Sequence, residues 1–346
     1  MTDSVLQVQL QLSGIHFAIS CDVGSDSVRF VTLLDDLFAS APGAASQPNV
    51  RMVVRSAQAA DGAMTVPSSA RLLTRTPSRC VWTDTGVFWL QASGISCAVS
   101  KSEILIAVDD RFWLSTLFEQ RDFLLVSVVA NLRLNDIYAL HGNALVRNGT
   151  GIIVTGNSGA GKTTLTHALI SDGWQYLSDD AAALQKQSGA VHTWALRKGF
   201  SLTDQAIERS GSNPVWDRES LAILGNGKRL SRPSAATERL FIPRCTPSAI
   251  FFTSVGEEAK TTINQVSPVE ALLLLLDQAS GLFADESSAA VQLNLLRDLV
   301  EQCACFRLVS GRDVISSGED IARVSELILN AAQSNRVSNT QNGARA

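Results

Sequence analysis

Hydrophobic and polar positions change rhythm along the chain. Up to about residue 108 the apolar runs are short. Val5 to Leu12 alternates in part with a period of two. Arg51-Met52-Val53-Val54-Arg55, Val87-Phe88-Trp89-Leu90 and Ile104 to Val108 are further runs of strand length. A period of two suits strands because successive side chains leave on opposite faces. Ser40 to Gln47 with its Pro-Gly pair at 42–43, Asp61-Gly62 and Pro67-Ser68-Ser69 punctuate these runs. The pattern predicts a mostly β amino-terminal domain over residues 1–108, with no catalytic signature.

From residue 109 the period lengthens. Phe112, Leu114, Leu117 and Phe118 recur three and four apart, and Phe123 to Leu132 is strongly apolar. This spacing predicts a buried helical connector over 109–137. Farther on, Ser267-Pro268-Val269-Glu270 opens a leucine-rich helix with a capping Ser, a first-turn Pro and a Glu in the third position. Ile321, Val324, Leu327 and Ile328 mark a last amphipathic helix. The segment 333–346 is rich in Ser, Asn and Gln and predicts a disordered tail. Residues 138–332 between them make a second domain.

Composition narrows the classes. Hydrophobic residues at 45% and charged ones at 18% suit a chain that buries a core, which excludes wholesale disorder. A net charge of −4 argues against nucleic acid or an anionic membrane as partner. The longest leucine block, Leu272 to Leu276, is far short of a bilayer span. The first residues lack the basic start and apolar stretch of a signal peptide, and six cysteines without a CxxC pair do not make a disulfide scaffold. A cytoplasmic protein is expected, and self-association into a homo-oligomer stays open. Cys303 and Cys305, with Cys245 or a distant His, either complete a zinc site or are small core residues.

One segment carries chemistry. Gly156-Asn157-Ser158-Gly159-Ala160-Gly161-Lys162-Thr163 fits G-x-x-x-x-G-K-T, is followed by Thr164, enters from the β-branched run Ile152-Ile153-Val154 and leaves into Leu165, Ala168, Leu169 and Ile170. Strand, loop and helix are the context such a loop needs. Glycines let the backbone curl until N–H groups point inward around a polyphosphate, and the helix adds its positive end. Lys162 would serve the outer phosphates, and the Thr163 hydroxyl suits Mg²⁺. The expected ligands are therefore ATP and Mg²⁺, on a P-loop α/β domain.

Sixteen and seventeen residues after Thr163 come Asp179 and Asp180, following Gly173-Trp174 and a short strand. A helix and a returning strand consume that length, so the pair should emerge at the carboxyl edge that carries the loop. Neighbours cannot both face one point. One carboxylate is free to accept a proton from a hydroxyl or water, the other to orient metal-bound water. Leu140-His141-Gly142 precedes the loop strand, so His141 should lie near the same edge. His16, His167 and His192 have no comparable context. The chain lacks the Asn-Lys-x-Asp guanine-reading motif and the Leu-Ser-Gly-Gly-Gln transporter signature. A basic loop, Gly225 to Pro233 with Lys228, Arg229 and Arg232, is either a closing element, a seat for an acidic substrate or a solvated surface loop.

Leu140-His141-Gly142, Gly156 to Thr163 and Ser178-Asp179-Asp180 together resemble the core of the HPr kinase/phosphorylase family, related to phosphoenolpyruvate carboxykinases. The resemblance spans roughly residues 138–205. It implies an α/β nucleotide-binding domain of HPr kinase/PEP carboxykinase-like type, here preceded by the smaller mostly β domain. It implies Asp179 as the base toward a hydroxyl, Asp180 as metal or water partner and His141 as a supporting residue. Two departures stand out. Where the family has Glu-Ile-Arg-Gly-Leu-Gly, this chain has Ala195-Leu196-Arg197-Lys198-Gly199-Phe200. Arg197 keeps the arginine position for binding phosphate, but Ala195 has no metal-assisting carboxylate. The family's Pro-Gly-Arg-Asn loop is also missing. The resemblance thus implies a divergent kinase that phosphorylates a serine- or threonine-type hydroxyl of a protein, peptide or small molecule. The alternative is a nucleotide-binding regulatory or assembly module with little turnover.

Overall fold

The computed structural model describes residues 5–39, 47–59, 64–209, 215–279 and 286–342, with 209, 286, 287 and 335–342 described by backbone alone. The Pro-Gly pair at 42–43, the Asp-Gly pair at 61–62 and the chain beyond 342 lie outside them. The architecture is mixed α/β with several sheets. By Cα proximity the chain divides into two units, Met1–Tyr138 with Ile223–Gly227 and Ser280–Val291, and Ala139–Ala222 with Lys228–Ala279 and Gln292–Ala346.

The first unit is built on an eight-stranded sheet in the order Leu6–Leu12, Ile15–Asp22, Val50–Ser56, Glu103–Val108, Ile95–Val99, Val87–Ala92, Cys80–Asp84, Arg71–Arg75. Strands that alternate in sequence alternate in burial, as Ile15–Asp22 does. The helix Ser27–Leu37 intervenes between two parallel strands and buries Phe30, Leu33, Leu34 and Leu37, spaced three and four apart. The stretch expected as a connector is two helices, Asp110–Leu114 and Leu117–Leu134, and it belongs to this unit. A reciprocal capping box between Thr116 and Glu119 starts the second, worth about 1 kcal/mol. That helix packs on strands Val87–Ala92, Ile95–Val99 and Glu103–Val108, which is why its apolar run is nearly continuous.

The second unit centres on a six-stranded sheet ordered Gln175–Ser178, Gly142–Arg147, Thr150–Thr155, Pro247–Val255, Ala304–Ser310, Thr262–Gln265. Gly142–Arg147 and Thr150–Thr155 form a hairpin across Asn148-Gly149, whose φ of 51° and 73° are what a two-residue turn of this twist requires. Thr150–Thr155, Pro247–Val255 and Ala304–Ser310 run parallel, so their carboxyl ends share an edge. Trp174, Phe200, Phe251, Leu165 and Leu169 fill the core beneath it. Phe251 and Phe306 stack with ring centres 5.3 Å apart.

Two sequence expectations fare differently. The final helix, Gly318–Asn342, runs through most of the segment expected to be loose. Burial pushes the Cys245 and Cys305 thiols up to about 12, and among the described residues no cluster of His, Cys, Asp and Glu is arranged to hold a metal. Cys303 and Cys305 lie in the core and Cys245 is half-buried. Among the described residues no helix is long and apolar enough to cross a membrane.

Candidate functional site

The site lies wholly within the second unit, where the strand Thr150–Thr155 gives way to the glycine loop. Gly156 has φ 147°, and a Cβ there would sit 2.8 Å from the Thr253 carbonyl oxygen. The loop therefore passes too close to the neighbouring parallel strand for any side chain. Gly161, at φ 83°, hands the chain to the helix Lys162–Ser171, which has no side-chain cap on its first turn. Its free amide end is where an anion is favoured. Asn157, Ser158 and Gly159 are exposed at the loop's tip, with Ala160 half-buried behind them. Gln278, from the leucine-rich helix Pro268–Ala279, steadies the tip through Nε2 to Asn157 Oδ1 at 2.9 Å.

Lys162 is buried and folds back, donating to the carbonyls of Gly156 at 2.7 Å and Asn157 at 3.0 Å. Burial lowers its pKa, against the pull of Asp180 and Asp179, and Lys228 lowers it further. An ammonium held by two neutral carbonyls in a half-dry loop gains from a phosphate oxygen taking their place.

The strand Gln175–Ser178 delivers the two carboxylates to the same edge. Asp180 has φ 68°, a left-handed turn that Asp tolerates at a cost of about 1 kcal/mol. Its amide is held by Asn143 Oδ1 at 2.7 Å. The turn sends the side chains apart. Asp179 is 2% exposed and accepts from Asn143 Nδ2 at 3.1 Å, Thr163 Oγ1 at 3.3 Å and the Ser201 amide at 3.1 Å. Burial, then the Asp180 charge, pushes its pKa up to about 6 despite those donors. Asp180 keeps 31% of its side chain exposed, with Arg197 Nη1 on Oδ2 at 2.7 Å and His141 Nδ1 3.3 Å from Oδ1. Burial alone would raise its pKa, but Arg197, His141, Lys228 and Lys162 together lower it.

His141 fits between these groups. Its Nδ1 lies 2.9 Å from the Asp180 carbonyl, and since carbonyl and carboxylate only accept, Nδ1 carries the proton. Burial lowers its pKa, so the ring is neutral at pH 7 with its lone pair on Nε2. Thr155 Oγ1 donates to the His141 carbonyl at 2.6 Å, and the His141 amide donates to Gln278 O at 3.2 Å. Arg197 is fixed from both ends, its amide donating to Ser178 Oγ at 2.9 Å and Nη2 to Ser201 Oγ at 3.1 Å. Ala195 is buried in the strand Ala190–Ala195 and has no oxygen to offer a cation from its side chain.

Lys162, Thr163, His141, Asp179, Asp180 and Arg197 thus lie together at one edge of the sheet. Asp179 is the buried member of the pair and Asp180 the more exposed one. Thr164 is half-buried on the first helical turn. The sequence reading missed Asn143, Ser201 and Gln278. Asn143 is 0% exposed and bridges Thr166, Asp179 and Asp180. The signal was a polar residue inside the otherwise apolar run Gly142 to Val146.

No protein-family model and no curated protein matches the chain. Among solved structures, the HPr(Ser) kinase/phosphatase from Coxiella burnetii is similar over 58% of this chain and 98% of its own, at 14% identity and a TM-score of 0.28. A likeness at that level decides nothing about fold or activity. The chemistry has to be read from the residues.

Proposed function

We propose that the second unit binds ATP and transfers its terminal phosphoryl group to a serine- or threonine-type hydroxyl of a protein, peptide or small molecule. The observation that carries this reading is the glycine loop ahead of an uncapped helix, with Lys162 inside it and Asp179, the buried member of the carboxylate pair, hydrogen-bonded to Thr163. Phosphoryl transfer is mostly positioning and charge stabilisation, and these groups supply both.

The residues suit a divalent cation beside the polyphosphate. The Thr163 hydroxyl and Asp179 Oδ1 are hard oxygens 3.3 Å apart, and Mg²⁺ keeps several waters and needs few protein ligands. Bound there, it would neutralise charge on the outer phosphates. Asp180 is the carboxylate that an acceptor hydroxyl can approach. In this reading the acceptor oxygen bonds to phosphorus, the bond to the nucleotide's bridging oxygen breaks, and the hydroxyl proton passes to Asp180. Arg197 and His141 hold that carboxylate in one orientation. This exchanges the roles that the family resemblance implies for the two aspartates.

The test is transfer from γ-labelled ATP with Mg²⁺ to candidate hydroxyl acceptors. Asp180→Asn should keep ATP affinity within a few-fold while cutting turnover by about 10² or more. Asp179→Asn should instead raise the Mg²⁺ concentration needed. Full turnover by Asp180→Asn would contradict the assignment. A second reading, a nucleotide-binding regulatory or assembly module without turnover, is favoured by the buried Ala195. It would be supported if wild type binds ATP and labels no acceptor above the Lys162→Ala background.

A further inference from the structure

The basic segment after Gly227 has a place in this unit that the glycine-loop motif does not account for. The strand Lys228–Ser231 pairs antiparallel with Phe200–Thr203, in a register that sets Lys228 opposite Thr203 and Leu230 opposite Ser201. Directly paired residues, and residues two apart, share a face of a sheet. Lys228 therefore stands on the same face as the Ser201 side chain, whose hydroxyl accepts from Arg197. The Ser201 amide donates to Asp179. The stem of Lys228 thus starts on the strand beside the one that carries Ser201, whose amide holds Asp179. After burial, the Lys228 charge adds to the lowering of the His141 and Lys162 pKa values, and behind Arg197 and His141 it helps to keep Asp180 ionised.

A lysine whose charge is disfavoured by burial and by a second lysine nearby gains from a multiply charged anion beside it. Lys162, Arg197 and Lys228 bring more positive charge than Asp179 and Asp180 cancel. The two lysines are carried by different elements, the helix after the glycine loop and the strand Lys228–Ser231. Lys162 is anchored on the loop carbonyls, Lys228 on the strand beyond the carboxylates. A polyphosphate that starts on the helix end and points toward the carboxylates therefore meets Lys162 first and Lys228 at its far end.

We propose that Lys228 is a further phosphate-binding residue of this site, donating to the outermost phosphate while Lys162 serves those nearer the loop. This rests on the reading of the glycine loop as an ATP site. The experiment measures equilibrium binding of Mg·ATP and Mg·ADP to wild type, Lys228→Met and Lys228→Arg, with a thermal melt of each. Lys228→Met should weaken ATP by about tenfold or more, since a hydrogen bond to a charged group is at stake, while ADP stays within about twofold. Lys228→Arg should recover most of the ATP affinity. An unchanged ATP/ADP ratio in Lys228→Met overturns the assignment alone. So does a raised acceptor KM with ATP binding intact, which would put Lys228 on the acceptor. If Lys228→Met melts early, Lys228→Gln is read in its place by the same ratio. A wild type that binds neither nucleotide sinks the underlying reading as well.

Discussion

Asp179 shows what burying a carboxyl beside a second one does. Its pKa is pushed up to about 6 by burial first and the Asp180 charge second, from an ordinary value of 3.8. The folded chain therefore holds this proton more tightly than the unfolded chain does. Its contribution to stability is largest below about pH 4 and is lost as pH rises through about 6. Asp180 is shifted the other way, so its contribution is lost only in acid below the usual carboxylate range. Ligand-free protein should melt several degrees lower at pH 6.5 than this group alone would allow at pH 4.5. Asp179→Asn should flatten that part of the curve, and Mg·ATP should offset the loss at the higher pH. Melting temperature across pH checks this, and an unaltered slope in Asp179→Asn would contradict it.

At the scale of elements, the loop and the strand beside it were designed by the same constraint. Gly156 passes Thr253 so closely that Gly156→Ala should destabilise by about 1–3 kcal/mol and weaken ATP binding, because the loop must move outward. Gly159 has φ 82° with open space around it, so Gly159→Ala should cost only about 1 kcal/mol of backbone strain. Denaturant unfolding of the two variants separates collision from strain. Equal losses would mean that the close approach to Thr253 is not what fixes the loop. These elements were legible in the sequence because each is local: a fixed-spacing motif, and a carboxylate pair one helix and one strand later. Asn143 and Ser201 were not legible in that way, and Lys228 only as one cation of a basic loop. Their roles depend on which strands pair and in what register, which no short window of sequence encodes. Nor did spacing reveal which aspartate turns inward, since that is set by the left-handed turn at Asp180 and by donors from three separate elements.

For the whole chain, the change of rhythm near residue 108 marked a real shift from strands to helix but not the limit of the first unit. That unit runs to Tyr138 and also takes in Ile223–Gly227 and Ser280–Val291. Phe118, at the start of its long helix, donates its amide to Leu224 O at 2.8 Å, and Arg133 Nε reaches Ser288 Oγ at 2.7 Å. Such long-range returns leave no trace in periodicity. A fragment of residues 1–138 lacks both partners, and should unfold less cooperatively and at lower denaturant than the same unit in the full chain. A fragment with an undiminished, equally sharp transition would show that those segments add nothing to it.

The central claim is that a polyphosphate seats on the glycine loop and draws Lys162 away from the carbonyls of Gly156 and Asn157. Calorimetric titration of Mg·ATP into wild type and Lys162→Ala tests it most directly. Saturable one-site binding by wild type, weakened about tenfold or more in a Lys162→Ala protein that melts normally, is the predicted result. Equal affinity of the two proteins, or no heat of binding from wild type, would contradict it.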